Sequence, residues 1–267
     1  MASLAAKAVR TLFEAPVVSA LPRAVRDVGA FRGWVAQFSQ HRVPYGSFAE
    51  ARLALAAKPI GYETCPGDLY EGLRYELVPG DLKAMQWLEK NIASVRRVFD
   101  FGGNIGLQYY GFSGRIEFPK DLEWTVGEIS PFVEEGARIA EREGKTNLHF
   151  THEFAPAAEA DFILVSGVLH YLEEPFSERL RGLREMPKRM LINRVPLTQG
   201  PTTVTLQDIG KALLPVKIRN REEFLDDILA CGYQIVDQWK VHELRCAMPL
   251  YPERSAHYYS GFYFELP

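Results

Sequence analysis

Several features that define large classes of proteins are scarce or absent in this 267-residue sequence. Its three cysteines, Cys65, Cys231 and Cys246, are far apart and odd in number, which argues against a disulfide framework and against a cysteine metal site. No segment approaches the roughly 18 uninterrupted apolar residues of a membrane-spanning helix. We therefore expect a cytoplasmic protein with no transmembrane segment and no metal centre.

An excess of charge of either sign is also missing. Lysine and arginine number 31 against 34 aspartate and glutamate residues, which gives a net charge of −3. So small a net charge provides no global field to attract a polyanion, and no nucleic-acid partner is predicted. Apolar residues make up 47% and charged residues 24% of the chain, which is typical of an ordinary folded protein.

Two signatures of enzyme classes are missing as well. The chain has no G-x-G-x-x-G triplet, whose second glycine makes room for the pyrophosphate of a dinucleotide. Ser166 and Gly167 do not form the G-x-S-x-G elbow of a hydrolase. Hydrolysis is therefore not predicted, and a dinucleotide cofactor is disfavoured.

The first 80 residues carry apolar side chains at helical spacings, and basic residues outnumber acidic ones at their start. Ser47 followed by Glu50 is a capping box, which predicts a helix through Ala57. We expect residues 1–80 to form a helical region that acts as a lid over a ligand site. Contact with an anionic membrane surface or a partner is an alternative, and so is a solvated helical face.

After residue 95, short apolar segments alternate with helical ones, which predicts a largely parallel sheet covered on both faces. Residues 200–214 do not fit this alternation and are predicted to form an inserted loop with a short helical piece. Ligands of such sheets bind beyond the carboxyl ends of the strands. The predicted strands are Arg97–Phe101, Trp124–Ile129, Leu148–Phe154, Phe162–Ser166, Met190–Val195, Tyr233–Val241 and Tyr258–Leu266. The predicted helices of this part are Gly80–Asn91, Pro131–Glu143 and Arg221–Cys231.

The strongest local signal is the glycine-rich turn that follows the first strand, Asp100 to Gly106. Glycines let a backbone turn sharply and approach a ligand closely. Glu128 ends the second strand, where a carboxylate can accept both hydroxyls of a ribose. The two features fit a nicotinamide dinucleotide or an adenosine ligand without phosphates. Asp100 lies too close to the turn to suit a phosphate, and it suits a cationic ligand.

With these residues the sequence resembles the class I S-adenosylmethionine-dependent methyltransferases over residues 80 to 267. Asp100, Gly102 and Gly106 stand at the positions of the first motif, with Asn104 in place of the usual middle glycine. Asn tolerates the left-handed backbone better than most residues, so the turn is expected to be kept. The other matching segments are Val126–Ile129, Ala160–Leu172 and Gly232–Val236. The sequence of these motifs also resembles that of a bacterial subfamily of methyltransferases with unassigned substrates, often linked to surface-polysaccharide genes.

The resemblance implies a three-layer α/β/α Rossmann-like sheet of seven strands, with strand seven antiparallel. A methyltransferase domain over residues 81–267 would follow a helical extension over residues 1–80. The implied function is methyl transfer from S-adenosylmethionine to a small-molecule or glycan acceptor, at oxygen. A nicotinamide-dependent oxidoreductase and a non-catalytic cofactor-binding scaffold are the alternatives, and the sequence does not indicate an oligomeric state.

The candidate catalytic residue is His170, which follows the fourth strand and, as a histidine, titrates near neutral pH. As a general base it predicts a pH–rate limb near about 6.5, shifted by its surroundings. A structural or cofactor-packing role is the alternative. The candidate acceptor-binding residues are Arg194, Gln207, Tyr258 and Tyr259. The candidate cofactor-binding residues are Asp100, Gly102, Gly103, Asn104, Gly106, Glu128, Ile129, Glu153, Phe154, Ser166 and Gly167.

Overall fold

The computed structural model describes residues 43–54, 67–73, 75–208, 213–248 and 250–267. Within these ranges the chain forms two compact units. The larger unit is drawn from residues 65–195, 225–244 and 259–267, and the smaller one from residues 1–64, 196–224 and 245–258. Most of the predicted helical region 1–80 lies outside the described residues, as does Cys65. Its helical character and the division at residue 80 stay predictions.

The described residues contain nine strands and six α-helices. The strands are β1 (Arg97–Phe101), β2 (Glu123–Gly127), β3 (Leu148–Thr151), β4 (Phe162–Ser166), β5 (Arg189–Thr198), β6 (Thr203–Asp208), β7 (Leu213–Asn220), β8 (Gln234–Val241) and β9 (Tyr259–Glu265). The helices are α1 (Phe48–Leu53), α2 (Leu82–Asn91), α3 (Leu107–Ser113), α4 (Phe132–Arg142), α5 (Phe176–Arg181) and α6 (Arg221–Leu229).

The sheet of the larger unit has the order β3-β2-β1-β4-β5-β9-β8. The pairs from β3 to β5 are parallel, whereas β8 and β9 are antiparallel to each other. This order, with an antiparallel last strand, confirms the predicted class I methyltransferase sheet. Its sixth and seventh strands are β8 and β9. The carboxyl ends of β1, β2, β4 and β5 therefore lie along one edge, where the candidate residues are found.

The predicted loop over residues 200–214 is wrong. In the smaller unit β6 and β7 pair antiparallel from Thr203 opposite Ile218 to Asp208 opposite Leu213, and Leu197 of β5 pairs with Arg219 of β7. A loop was predicted because this segment does not fit the alternation of strands and helices. The residues from Thr203 to Leu206 are instead β-branched or apolar and fully buried, which favours a strand. This hairpin adds two strands to the seven that were predicted.

Other boundaries follow from local chemistry. The β4 strand has the predicted bounds, and its residues Phe162 to Val165 are at most 1% exposed, as expected of a strand covered on both faces. The Ser47 half of the predicted capping box is present, because the Glu50 amide donates to Ser47 Oγ at 3.1 Å where α1 begins, and Glu50 Oε2 accepts from the Gly46 amide at 2.7 Å. Helix α1 ends at Leu53, earlier than the predicted Ala57.

None of the helices in the described ranges has the length and the apolar character required to cross a membrane.

Candidate cofactor and acceptor site

The turn after β1 has three residues in the left-handed backbone region. Gly102, Asn104 and Gly106 have φ angles of +72°, +57° and +89°. Asn104 adapts to this conformation by accepting a hydrogen bond from the Ile105 amide on its own Oδ1 at 2.9 Å. The replacement of the usual middle glycine by asparagine therefore leaves the turn intact, as predicted.

The turn also packs too tightly for side chains at two of its glycines. A Cβ atom on Gly102 would lie 2.5 Å from Cβ of Val168, which belongs to the loop after β4. A Cβ atom on Gly103 would lie 2.4 Å from the Oδ2 atom of Asp100. These contacts draw the β1 turn against the β4 loop and against the carboxyl group that precedes it.

Asp100 is fully buried at the end of β1. Its Oδ2 accepts a hydrogen bond from Trp124 Nε1 at 3.3 Å, and its Oδ1 has no hydrogen-bond partner among the described residues. Burial raises the pKa of Asp100 to about 8, because the apolar surroundings penalise the charged form and the Trp124 hydrogen bond only partly offsets this. A cationic ligand would therefore meet a largely neutral carboxyl group here at pH 7.

Glu128 lies at the carboxyl end of β2 and is half-buried. Its Oε2 accepts a hydrogen bond from the Ile129 amide at 2.6 Å, and its own amide donates to the Thr151 carbonyl of β3 at 3.0 Å. Since Phe101 and Gly127 are partners in the parallel β1–β2 register, Glu128 directly neighbours the glycine-rich turn. The neighbouring Ile129 is 40% exposed and provides apolar surface beside the carboxylate.

The two candidates beyond β3 differ in their surroundings. Glu153 is exposed, and its amide is held by Thr151 Oγ1 at 3.0 Å. Phe154 is half-buried, with its ring edge-on to Phe101 at 5.1 Å between ring centroids. Phe154 therefore extends an aromatic wall from the β1 turn, whereas the contact predicted for Glu153 stays a prediction.

A polar cluster joins the ends of β4 and β5. Ser166 Oγ accepts hydrogen bonds from Arg194 Nε at 3.1 Å and from Asn193 Nδ2 at 3.4 Å. Arg194 has a φ of +56°, which is an uncommon backbone conformation for an arginine. Its guanidinium lies beside Gly167, because a Cβ on that glycine would be 3.5 Å from Arg194 Nε.

Asp81, which was not among the predicted site residues, completes this cluster. Its Oδ1 lies 3.4 Å from Arg194 Nε and accepts a hydrogen bond from Asn193 Nδ2 at 3.2 Å. Burial raises the pKa of Asp81, and the positive charge of Arg194 opposes that rise. An aspartate at the start of the predicted helix was visible in the sequence, but its partners are more than 100 positions away.

The ion pair with Asp81 leaves part of Arg194 unused. The side chain is 22% exposed, and its two terminal nitrogens make no hydrogen bond or ion pair within the described ranges. Arginine presents its terminal nitrogens as a planar fork that matches a carboxylate or phosphate. The ion pair with Asp81 is thus compatible with a role of Arg194 in binding an acceptor.

His170 lies in a short 3₁₀-helix, Leu169–Tyr171, and is 4% exposed. Its ring packs on Tyr171 at 4.1 Å and edge-on to Tyr259 at 5.9 Å, and Nδ1 has no hydrogen-bond partner in the part of the chain that the structure describes. Burial, and secondarily the charge of Arg194, lowers the pKa of His170 to about 3. The surroundings thus displace the titration of His170 well below the unperturbed value of about 6.5, and the imidazole is neutral at pH 7.

The remaining acceptor candidates fall in different places. Tyr259 is the buried first residue of β9 and lies beside His170. Gln207 on β6 and Tyr258 before β9 are half-buried members of the smaller unit. Tyr259 is thus the one aromatic candidate that the structure places against the proposed base, and the roles of Gln207 and Tyr258 stay predictions.

Comparison with known proteins gives similarity to solved structures only. No protein-family model matches the sequence, and no curated protein matches it. A 1,6-didemethyltoxoflavin-N1-methyltransferase from Burkholderia thailandensis, crystallised with S-adenosylhomocysteine, is 18% identical at a TM-score of 0.47 over 70% of this chain and 78% of its own. The glycopeptide N-methyltransferase MtfA, complexed with S-adenosylmethionine, is 10% identical at a TM-score of 0.48 over 70% and 94%. The [4+2]-cyclase SpnF is 16% identical at a TM-score of 0.47 over 69% and 81%.

Proposed function

We propose that this protein transfers a methyl group from S-adenosylmethionine to a hydroxyl group of a small-molecule or glycan acceptor. The observation that carries the proposal is the juxtaposition of a left-handed, glycine-rich turn at the end of β1 with the half-buried Glu128 at the end of β2. A turn without bulky side chains admits a ligand to the sheet edge, and a neighbouring carboxylate can hold ribose hydroxyls.

The residues of this edge fit S-adenosylmethionine by their chemistry. Glu128 would accept the ribose hydroxyls and Glu153 the adenine amino group, while Asp100 offers an acceptor atom with no partner among the described residues. When bound, the cofactor supplies a methyl group on a positively charged sulfur. The chain's own task is then to orient donor and acceptor in line and to take up a proton where needed. The residues that would surround the cofactor besides these three are Gly102, Gly103, Asn104, Gly106, Ile129, Phe154, Ser166 and Gly167.

His170 and Arg194 would serve the acceptor. A neutral imidazole has a nitrogen free to accept the proton of a hydroxyl group, and the lowered pKa of His170 keeps it in that form at pH 7. The terminal nitrogens of Arg194 would hold an anionic group of the acceptor while its Nε stays bound to Ser166. Tyr259 would support the imidazole from its edge.

The two alternatives differ at defined residues. A nicotinamide dinucleotide would bring a pyrophosphate against the β1 turn, which has no glycine in the middle position and has the Asp100 carboxyl group behind it. A scaffold that binds cofactor without transferring methyl would have no use for the unpartnered fork of Arg194. Both observations favour methyl transfer.

The test is release of the demethylated cofactor in the presence of paired acceptors that differ by one carboxylate or phosphate group. Arg194→Met should lower turnover of the anionic member of a pair at least about tenfold, since a hydrogen bond to a charged group contributes about 1.5–3 kcal/mol. The neutral member should be turned over as before. Arg138→Met, which removes an exposed arginine paired with Glu135, is the matched control. Cofactor binding without release of demethylated product for any acceptor would favour the scaffold.

A further inference from the structure

A cavity of the larger unit lies away from the site described above. It occupies about 410 Å³ among residues that begin strands, notably Arg97 of β1, Asp161 before β4 and Arg189 of β5. In a parallel sheet these residues lie at the amino-terminal edge, opposite the carboxyl edge that carries the glycine-rich turn. The volume falls within the range of about 300–1,000 Å³ of small-molecule sites.

The acidic residues that line this cavity are largely occupied. Glu159 Oε2 pairs with Arg97 Nη1 at 3.1 Å. Asp161 Oδ2 accepts hydrogen bonds from the backbone amides of Arg96 and Arg97 at 2.8 and 2.9 Å. The charge of Glu159 is therefore paired with Arg97, while Asp161 is held by two backbone amides and keeps its negative charge.

Three cations of the lining, Arg184, Lys188 and Arg189, have no carboxylate partner among the described residues. The side chains of Arg184 and Lys188 form no hydrogen bond or ion pair with any residue in the described ranges, whereas the charge of Arg189 also acts on Tyr263. Arg184 and Lys188 are exposed, while Arg189 is half-buried. Within six positions of the chain, the segment between α5 and β5 thus presents an excess of positive charge to one cavity.

We propose that this cavity binds a phosphorylated small molecule, with Arg184, Lys188 and Arg189 as its anion-binding residues. Two arginine forks and a lysine ammonium match a group that carries at least two negative charges and several acceptor oxygens, as a diphosphate does. The volume of about 410 Å³ and the small net charge of the whole chain favour a small ligand over a polyanion. The site is independent of the methyl-transfer proposal.

Inorganic pyrophosphate is the probe, titrated calorimetrically into the full chain at low ionic strength. We expect binding that Arg184→Glu combined with Lys188→Glu weakens at least about tenfold, because charge-assisted hydrogen bonds are lost and like charges are introduced. Lys120→Glu combined with Lys145→Glu makes the same change in net charge at positions outside the cavity and should leave pyrophosphate binding unchanged. Raising the salt concentration should weaken binding by the unaltered protein.

Titration with S-adenosylmethionine separates this proposal from the proposed function. The Arg184→Glu, Lys188→Glu variant should bind the cofactor as the unaltered protein does, which also shows that it is folded. The proposal is overturned if pyrophosphate gives no heat at about 10 mM, well above the 1 mM that corresponds to about 4.1 kcal/mol of binding free energy. It is equally overturned if both double variants weaken pyrophosphate binding alike.

Discussion

The two edges of the parallel sheet hold charged groups in opposite ways. At the carboxyl edge Asp81, Asp100 and His170 are buried, at 7%, 0% and 4% exposure, and their pKa values are displaced from the ordinary range. At the amino edge Arg184 and Lys188 are exposed. Burial fixes the position and protonation state of a side chain, as group transfer requires, whereas exposed cations can attract an anion but are screened by salt.

The largest effect is expected from filling the turn of the carboxyl edge. Gly102→Ala places an alanine in the left-handed backbone region, which costs roughly 1–2 kcal/mol of stability. The added Cβ also overlaps Val168, and such overpacking costs about a further 1–3 kcal/mol. Gly144→Ala is the matched control, because Gly144 has a φ of +64° but no atom within 4 Å of the added Cβ. Urea unfolding should show a larger loss of stability for the Gly102 variant. Equal losses would mean that the turn can move away from the β4 loop.

Removing the Glu128 carboxylate should weaken cofactor binding. Glu128→Ala should weaken S-adenosylmethionine binding by on the order of tenfold to a hundredfold, since a hydrogen bond to a charged group contributes about 1.5–3 kcal/mol. Glu117→Ala, at an exposed position elsewhere on the chain, serves as the control in the same calorimetric titration. Affinities that agree within a few-fold between the two variants would remove Glu128 from the cofactor site.

The raised pKa of Asp100 gives stability a dependence on pH with a definite sign. The folded chain holds a proton on Asp100 up to about pH 8, whereas the unfolded chain loses it near 3.8, so this group favours folding less as the pH rises between those values. Relative to the unaltered protein, Asp100→Asn should gain up to about 1.4 kcal/mol of stability per pH unit from pH 5 to 7. Parallel stability curves for the two proteins, measured by urea unfolding, would show that the carboxyl group is ionised in the folded chain.

His170 should contribute a slope of the opposite sign. Its folded pKa of about 3 lies below the unfolded value of 6.5, so the stability that it allows is fully present above pH 6.5 and falls as the pH drops toward 3. His170→Gln should remove a dependence of up to about 1.4 kcal/mol per pH unit between pH 6.5 and 5.

The same histidine has a kinetic test. Loss of general-base assistance is typically worth about 10² to 10⁴ in rate, so His170→Ala should depress turnover while S-adenosylmethionine affinity stays within a few-fold. The unaltered protein should show no rate limb near pH 6.5, because the imidazole is already neutral there. Unchanged turnover in the variant would leave positioning of donor and acceptor as the mechanism.

At the carboxyl edge, local structure could be predicted further than contacts between distant segments. The turn from Asp100 to Gly106 and the strand Phe162–Ser166 depend on neighbouring residues, and their conformations followed from glycine, asparagine and apolar patterning. Contacts between distant segments did not follow. Asp81 meets Asn193 across 112 positions, and the pKa of His170 reflects burial that only the folded chain provides.

The hairpin of β6 and β7 and the cavity at the amino edge were missed for related reasons. Thr203 and Thr205 are polar residues that the fold buries, so composition misrepresented their segment. In the sequence, the basic residues of the cavity are an ordinary run: Arg184, Lys188 and Arg189. Only the fold shows that Glu159 and Asp161 line the same cavity and that both carboxylates already bind other groups. Tertiary pairing decided both cases.

Calorimetric titration of the unaltered protein with S-adenosylmethionine, its demethylated product and NADH tests the central claim most directly. The account predicts heat of binding for S-adenosylmethionine and for the demethylated product, and none for NADH. Heat with NADH and none with the other two ligands would contradict the account and favour the oxidoreductase alternative.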